Sequence, residues 1–284
     1  MSSMPSDLRA IRERPLRDGY GARSVLTWLA VFAVSTLAFV IAWILIAVGA
    51  VWIDREGRSF HRIARAWGVL VATRIFPAKI EVRGLENLVR GPCVVAPNHQ
   101  SLADLPALYL LPMDFRYVVK RKFAYSPFGF NIWLARNVWI DEHQTEKTRA
   151  AIFAECRRKL AAGISLVMFP EGTRSRTWKV GRFKRGAFEL ASATQVPVLP
   201  VAIAGANDLV HPASMRIHHG DTRIIIDVLP AIESLGKTAR ELQKETQRVV
   251  RSRVAALRRE LYETHAQGPS SVMEPDVPML LDAG

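Results

Sequence analysis

The sequence predicts an α/β domain, a β-sheet covered by helices on both faces, preceded by one long apolar segment. Three observations predict it. From Lys79 onward, short apolar runs alternate with stretches of helical periodicity, the pattern of a sheet with crossover helices. Upstream, the 29 residues Val25–Ile53 carry no charge at all. The whole chain has 284 residues, 49% hydrophobic and 23% charged, which leaves room for one substantial core and excludes both a disordered chain and a polytopic membrane protein.

Taken in order, residues 1–24 form a basic segment with Arg9, Arg12, Arg14, Arg17 and Arg23. Residues 25–53 form a membrane-embedded segment. As a helix the run is ~43 Å long against ~30 Å of bilayer hydrocarbon, and Trp28, Trp43 and Trp52 stand toward its ends as interfacial anchors. Arg55, Arg58, Arg62 and Arg65 follow it, so both flanks are basic and a spanning helix and a hairpin in one leaflet are both open. Residues 54–78 read as an amphipathic interfacial helix, with Phe60, Ile63, Trp67, Leu70 and Val71 on one face and arginines elsewhere. A helix packed on the main domain has the same pattern.

The main domain runs from 79 to 265. Its candidate strands are Lys79–Arg83, Cys93–Ala96, Phe115–Val119, Val138–Asp141, Ile164–Phe169, Val196–Ala204 and Arg223–Leu229. Thr145–Ala162 is a helix stopped by Gly163, and Thr238 with Glu241 forms a capping box that opens a last helix. The tail 266–284 is expected to be disordered. Cys93 and Cys156 are too few for a disulfide framework or a zinc site and read as inert core residues in a reducing compartment. The net charge of +13 asks for an anionic partner.

Two motifs carry chemistry. Asn98-His99, followed by Asp104, lies between an apolar strand and an apolar helix. A carboxylate on the first helical turn reaches back to the imidazole Nδ1 and leaves Nε2 as a base. The spacing alone is weakly specific. The second motif, Phe169-Pro170-Glu171-Gly172-Thr173-Arg174-Ser175, follows directly on the strand ending at Met168, and strand ends are where α/β sheets place ligands. Gly172 permits close backbone approach, Thr173 offers a hydroxyl and an amide, and Arg174 offers a planar fork for phosphate.

Together these motifs resemble the glycerolipid acyltransferase superfamily, most nearly its single-chain 1-acylglycerol-3-phosphate acyltransferases. Val119-Lys120-Arg121-Lys122, Pro127-Phe128-Gly129 and Val196–Val201 agree, and the resemblance covers about residues 60 to 230. It implies an acyltransferase domain at 79–265 and acyl transfer from thioester to hydroxyl with no covalent enzyme intermediate, no metal and no bound organic cofactor. His99 would be the base and Asp104 its orienter. Glu171, Gly172, Thr173 and Arg174 would form the acceptor site, with Arg174 on the phosphate, Glu171 orienting a neighbour or a hydroxyl, and Lys120 an added cation. The donor would be acyl-coenzyme A or acyl carrier protein, the acceptor a lysophospholipid and the product phosphatidate, on the cytoplasmic face of a membrane with anionic lipids. One departure stands out: Glu142 occupies a position where the family's second motif carries an arginine, which points to another lysophospholipid or an aminolipid as the alternative acceptor.

Two other classes fare worse. A non-catalytic lipid-binding protein has no chemical need for His99, Asp104, Glu171 and Arg174 together. Nucleic-acid binding is prompted by charge alone, since the basic residues are not interleaved with aromatics on one element.

Overall fold

The computed structural model describes residues 20–47 and 54–266, apart from 55, 126–131, 134, 142–144, 176–177 and 212–214. Glu142, the Pro127-Phe128-Gly129 block and the tail beyond 266 therefore lie outside the described residues, as do residues 1–19 and 48–53.

All seven expected strands are present: β1 (Ala78–Arg83), β2 (Val94–Pro97), β3 (Phe115–Lys120), β4 (Val138–Ile140), β5 (Ser165–Val167), β6 (Val198–Ala204) and β7 (Thr222–Val228). They form one sheet in the order β1-β7-β6-β2-β5-β3-β4. β2 to β6 run parallel, whereas β7 is antiparallel to β6 and carries β1 parallel to itself. The central strands are buried along their whole length, which is why Val-Val-Ala-Pro and Val-Leu-Pro-Val-Ala-Ile-Ala read as unbroken apolar runs.

Helices cover both faces, as the alternation predicts. On one face lie α1 (Tyr20–Ala47), α2 (Arg58–Leu70), the short α3 (Asp104–Leu108) and α6 (Ala206–Leu209). On the other lie α4 (Glu146–Ala161), α5 (Gly186–Thr194) and the 28-residue α7 (Ala239–Ala266). Local chemistry sets the ends of α4. Thr145 Oγ1 accepts the Thr148 N–H at 3.2 Å at its start, and beyond its end Gly163 takes φ +80°. The capping box of α7 is also formed, since Thr238 N–H donates to Glu241 Oε2 at 2.8 Å and Glu241 N–H to Thr238 Oγ1 at 3.3 Å. Burial pushes the Cys93 thiol up to about 11 and the Cys156 thiol up to about 12, so both stay protonated and unreactive at neutral pH.

α1 begins at Tyr20, five residues ahead of the uncharged run, and Gly21–Ile46 is long and apolar enough to cross a membrane. Most of its apolar length is exposed, but one stripe is docked. Ser24, Thr27, Val31 and Ser35 are buried at helical spacing, while Leu26, Leu29, Phe32, Leu37 and Ile44 are more than half exposed. Ser24 Oγ donates to the Ile217 carbonyl at 3.0 Å and accepts the Ile217 N–H at 3.1 Å. Trp28 Nε1 donates to the Met215 carbonyl at 2.9 Å.

α2 starts where Asp54 accepts the N–H groups of Arg58 and Ser59, at 2.8 and 2.6 Å. Phe60 packs against Ala42 of α1, Trp67 Nε1 donates to Ser35 Oγ at 2.9 Å, and Gly68 lies under the Tyr109 ring. The helix gives way at Val71 to one wide turn through Ile75 that leads into β1. Of its flanking arginines, Arg62, Arg65 and Arg74 are exposed.

Candidate active site

β2 ends at Pro97, and the chain must leave the sheet there without abandoning its hydrogen bonds. Asn98 solves this with its side chain. Its Oδ1 accepts the Ile203 N–H at 2.7 Å and its Nδ2 donates to the Ile203 carbonyl at 2.9 Å, so a fully buried amide stands in for one more strand residue against β6. The main chain is then free to turn at His99.

Asp104, the first residue of α3, closes that turn. Its Oδ2 lies 2.7 Å from His99 Nδ1 and also accepts the N–H groups of Gln100, at 2.7 Å, and Ser101, at 2.9 Å. The side chain is completely buried. A carboxylate that already takes two amide donors holds the neutral imidazole with its proton on Nδ1, and Nε2 keeps its lone pair. The imidazole is only 15% exposed, and its face is stacked on Phe169 at 4.0 Å. Phe169 lies in turn parallel to Tyr117 of β3, whose hydroxyl donates to the Leu105 carbonyl of α3 at 2.7 Å.

The second motif leaves β5 on the same edge of the sheet and ties itself to the first through His99. Glu171, 6% exposed, accepts the His99 N–H on Oε1 at 2.8 Å and the Gly181 N–H on Oε2 at 2.7 Å. The Ser175 N–H donates to the His99 carbonyl at 2.8 Å. Both backbone polar groups of His99 are thus held by the loop after β5. Burial pushes the Glu171 carboxyl above the usual range, against the opposing pull of its two amide donors. Gly172 turns the chain at φ +67°, a conformation that suits glycine, and a Cβ there would meet the end of Lys184 at 2.7 Å.

Of the expected residues, His99, Asp104 and Glu171 form one hydrogen-bonded unit, with Gly172 at its turn. Thr173 is exposed in the same loop. Arg174 is half-buried, and its Nη1 is buried with no partner among the described residues. Lys120 ends β3, two strands from β2 in the sheet, on the edge that carries His99. Sequence reasoning gave no role to Asn98, Phe169, Tyr117 or Gly181. Asn98 and Phe169 sit inside the motifs, but Gly181 lies in a basic loop with no local signal, and only its contact with Glu171 reveals it.

Comparison with known proteins agrees with this geometry. The Acyltransferase family matches residues 79–204. A chloroplastic 1-acyl-sn-glycerol-3-phosphate acyltransferase of Brassica napus is 34% identical over 179 residues, 61% of this chain and 51% of its own, so the chain spans about half the length of that relative. A 1-acyl-sn-glycerol-3-phosphate acyltransferase of Salmonella typhimurium is 31% identical over 217 residues, 75% of this chain and 84% of its own. The crystal structure of the 1-acyl-sn-glycerophosphate acyltransferase PlsC from Thermotoga maritima shares the fold, with a TM-score of 0.59 and 22% identity over 87% of this chain and all of that one. With the motifs intact and a relative matched across most of its length, the chain belongs to the glycerolipid acyltransferase family.

Proposed function

We propose that the protein transfers a fatty acyl group from a thioester donor, acyl-coenzyme A or acyl carrier protein, to the free hydroxyl of 1-acyl-sn-glycerol 3-phosphate, making phosphatidate. The observation that carries the reading is the His99–Asp104 pair, in which Nδ1 is engaged at 2.7 Å and Nε2 is left as a base. His99 Nε2 takes the hydroxyl proton as that oxygen attacks the thioester carbonyl. The tetrahedral adduct then collapses, the C–S bond breaks, and the imidazolium returns the proton to the departing sulfur. Ester and thiol result, and the side chain is regenerated. Asp104 fixes the tautomer and favours the transient imidazolium.

Arg174 is the phosphate contact, on the strength of its buried, unpartnered Nη1. Glu171 has both oxygens committed to backbone amides, which suits a clamp on the His99 turn better than a substrate ligand. Lys120 and Thr173 remain candidates for the acceptor's outer contacts. The exposed apolar face of α1 supports a membrane enzyme, with the catalytic domain on the cytoplasmic side where thioester donors are made.

The test is acyl transfer by detergent-purified full-length protein. His99→Ala should lower the rate by about 10² to 10⁴ while leaving the fold intact, and near-wild-type turnover would remove His99 as the base. Arg174→Ala should raise the acceptor KM, and no change in KM or kcat would exclude it from the site. Glu142 favours one second reading, a lysolipid without a phosphomonoester, such as an aminolipid. Turnover of that acceptor with none of lysophosphatidate would establish it.

A further inference from the structure

The 28-residue helix α7 divides its cations into two sets. On the side toward the sheet Arg253 pairs with Asp227 and Arg258 with Asp208, while Lys237, just ahead of the helix, pairs with Glu245 of α7 at 2.7 Å. Arg240, Lys244, Arg248, Arg251 and Arg259 are all exposed, and none forms an ion pair among the described residues. At the helical period they fall within an arc of about 100° and extend over ~28 Å of helix. One acid shares that arc, Glu241, and it is occupied by the N–H and hydroxyl of Thr238. A line of uncompensated cations repels itself and is expected where an anionic partner neutralises it.

The position of the helix narrows the partner. α7 packs on β6 and α5, on the face of the sheet opposite to the one that holds α1 and α2, so its outer surface is not on the side of the apolar helix. Beside Arg248, a groove of about 480 Å³ runs between Val249 and the loop Leu229–Ile232. Leu229–Ile232 give the groove an apolar wall, and the one carboxylate in its lining, Glu245, is neutralised by Lys237, so the groove suits an amphipathic acidic helix. α7 also reaches the site. Gln243 donates to the Phe183 carbonyl at 2.6 Å and Gln247 accepts the Phe183 N–H at 3.2 Å. These two residues grip the segment whose Gly181 N–H binds Glu171.

We propose that the outer face of α7 docks the acidic surface of an acyl carrier protein, making the carrier-bound thioester the preferred donor over free acyl-coenzyme A. The proposal rests on the acyl-transfer reading and specifies its donor. The stripe supplies steering charge, Arg248 and the groove supply the seat, and the carrier's flexible arm delivers the thioester to His99.

The test compares the full-length wild type with a variant carrying Arg240→Gln, Lys244→Gln, Arg248→Gln and Arg251→Gln. A second variant carries Arg240→Lys, Arg248→Lys and Arg251→Lys. With acyl carrier protein as donor, kcat/KM of the glutamine variant should fall about 10-fold or more through KM. With acyl-coenzyme A it should stay within about twofold, and the lysine variant should behave as wild type with both donors. Equal loss with both donors, no loss with either, or a wild type that uses only acyl-coenzyme A would each overturn the docking surface while leaving acyl transfer standing. Loss of binding to phosphatidylglycerol vesicles with unchanged carrier turnover would assign the stripe to headgroups and overturn it as well. Binding of the acylated carrier, read by fluorescence anisotropy, keeps the two readings apart. Binding that the glutamine variant loses supports the surface even if neither donor turns over, an outcome that counts against acyl transfer alone.

Discussion

Replacing Asn98 tests the device that lets β2 end beside His99. Asn98 is fully buried and satisfies both the N–H and the carbonyl of Ile203, at 2.7 and 2.9 Å. Asn98→Leu keeps the same branched heavy-atom skeleton and removes both bonds, leaving two backbone groups of β6 without partners. Each unsatisfied buried group costs roughly 1–3 kcal/mol, so the loss should be about 2–6 kcal/mol. For a domain of this size each kcal/mol lowers Tm by about 2–4 °C, which gives a fall on the order of 5–20 °C. Asn98→Asp keeps the acceptor for the Ile203 N–H but turns a second oxygen toward the Ile203 carbonyl, with a buried charge added, so it should lie in the same range. Because His99 follows immediately in the chain, kcat should fall by on the order of 10² in a variant that still folds, through misplacement of the imidazole. Thermal unfolding followed by circular dichroism, with acyl transfer measured below Tm, reads both effects. A leucine variant within about 1 kcal/mol of wild type and equally active would show that the side chain does not hold the turn.

Gly181→Ala should place a Cβ 2.7 Å from Glu171 Oε2, disturbing the clamp on the His99 amide. We expect lower kcat with about 1–3 kcal/mol of destabilisation, and unchanged kinetics would remove the clamp from the mechanism. His61 is held down to about 4 by burial and by the neighbouring Arg116 guanidinium. It is neutral in the fold, and the unfolded chain binds its proton first as pH falls. Stability should therefore drop between about pH 6.5 and pH 4, by on the order of 3 kcal/mol, and His61→Asn should flatten that part of a urea-midpoint profile. A profile equally steep in the variant would exonerate His61. Ser24→Val leaves the Ile217 N–H and carbonyl without their partner on α1. Cleavage by a protease at low dose near residues 215–219 should become faster, and unchanged resistance would show that the Ser24 bonds do not hold this segment to α1.

The strands were legible because each is an apolar run bounded by polar or turn residues, and the seven expected runs are the seven strands of the sheet. Their order was not, because nothing local records that β7 turns back against β6 and brings β1 in beside it. The dyad was legible from its spacing together with the second motif: four residues between His99 and Asp104 are what a turn followed by a helix start requires, but that spacing alone is weakly specific. The role of Glu171 was less so. The motif marks it as a residue that orients a neighbour or a hydroxyl, but its two amide partners, one of them Gly181 ten residues on, come only from the structure. Long-range polar contacts of this kind leave no periodicity in the sequence. The amphipathic pattern of 54–78 shows the same limit, since Gly68 against Tyr109 and Trp67 against Ser35 decide where the helix packs, and neither contact has a sequence signal.

The docking of α1 has a consequence for the site. A helix that only had to lie in lipid would gain nothing from Ser24, Thr27 and Ser35, yet all three are turned onto the domain. Ser24 grips Ile217 through both backbone groups, Ile217 forms a β-bridge with Val210, and the Val210 carbonyl accepts the Ser101 hydroxyl at 2.9 Å. Ser101 in turn gives its N–H to Asp104. Four residues therefore connect the apolar helix to the orienter of His99, and the dyad sits at a fixed offset from the helix rather than swinging on a linker. On the acyl-transfer reading proposed above, with the acceptor's acyl chain in a bilayer and the donor arriving from water, such an offset would do the work of a binding site. It would present His99 where the acceptor's hydroxyl emerges and leave the opposite face of the sheet, with α7, to the donor.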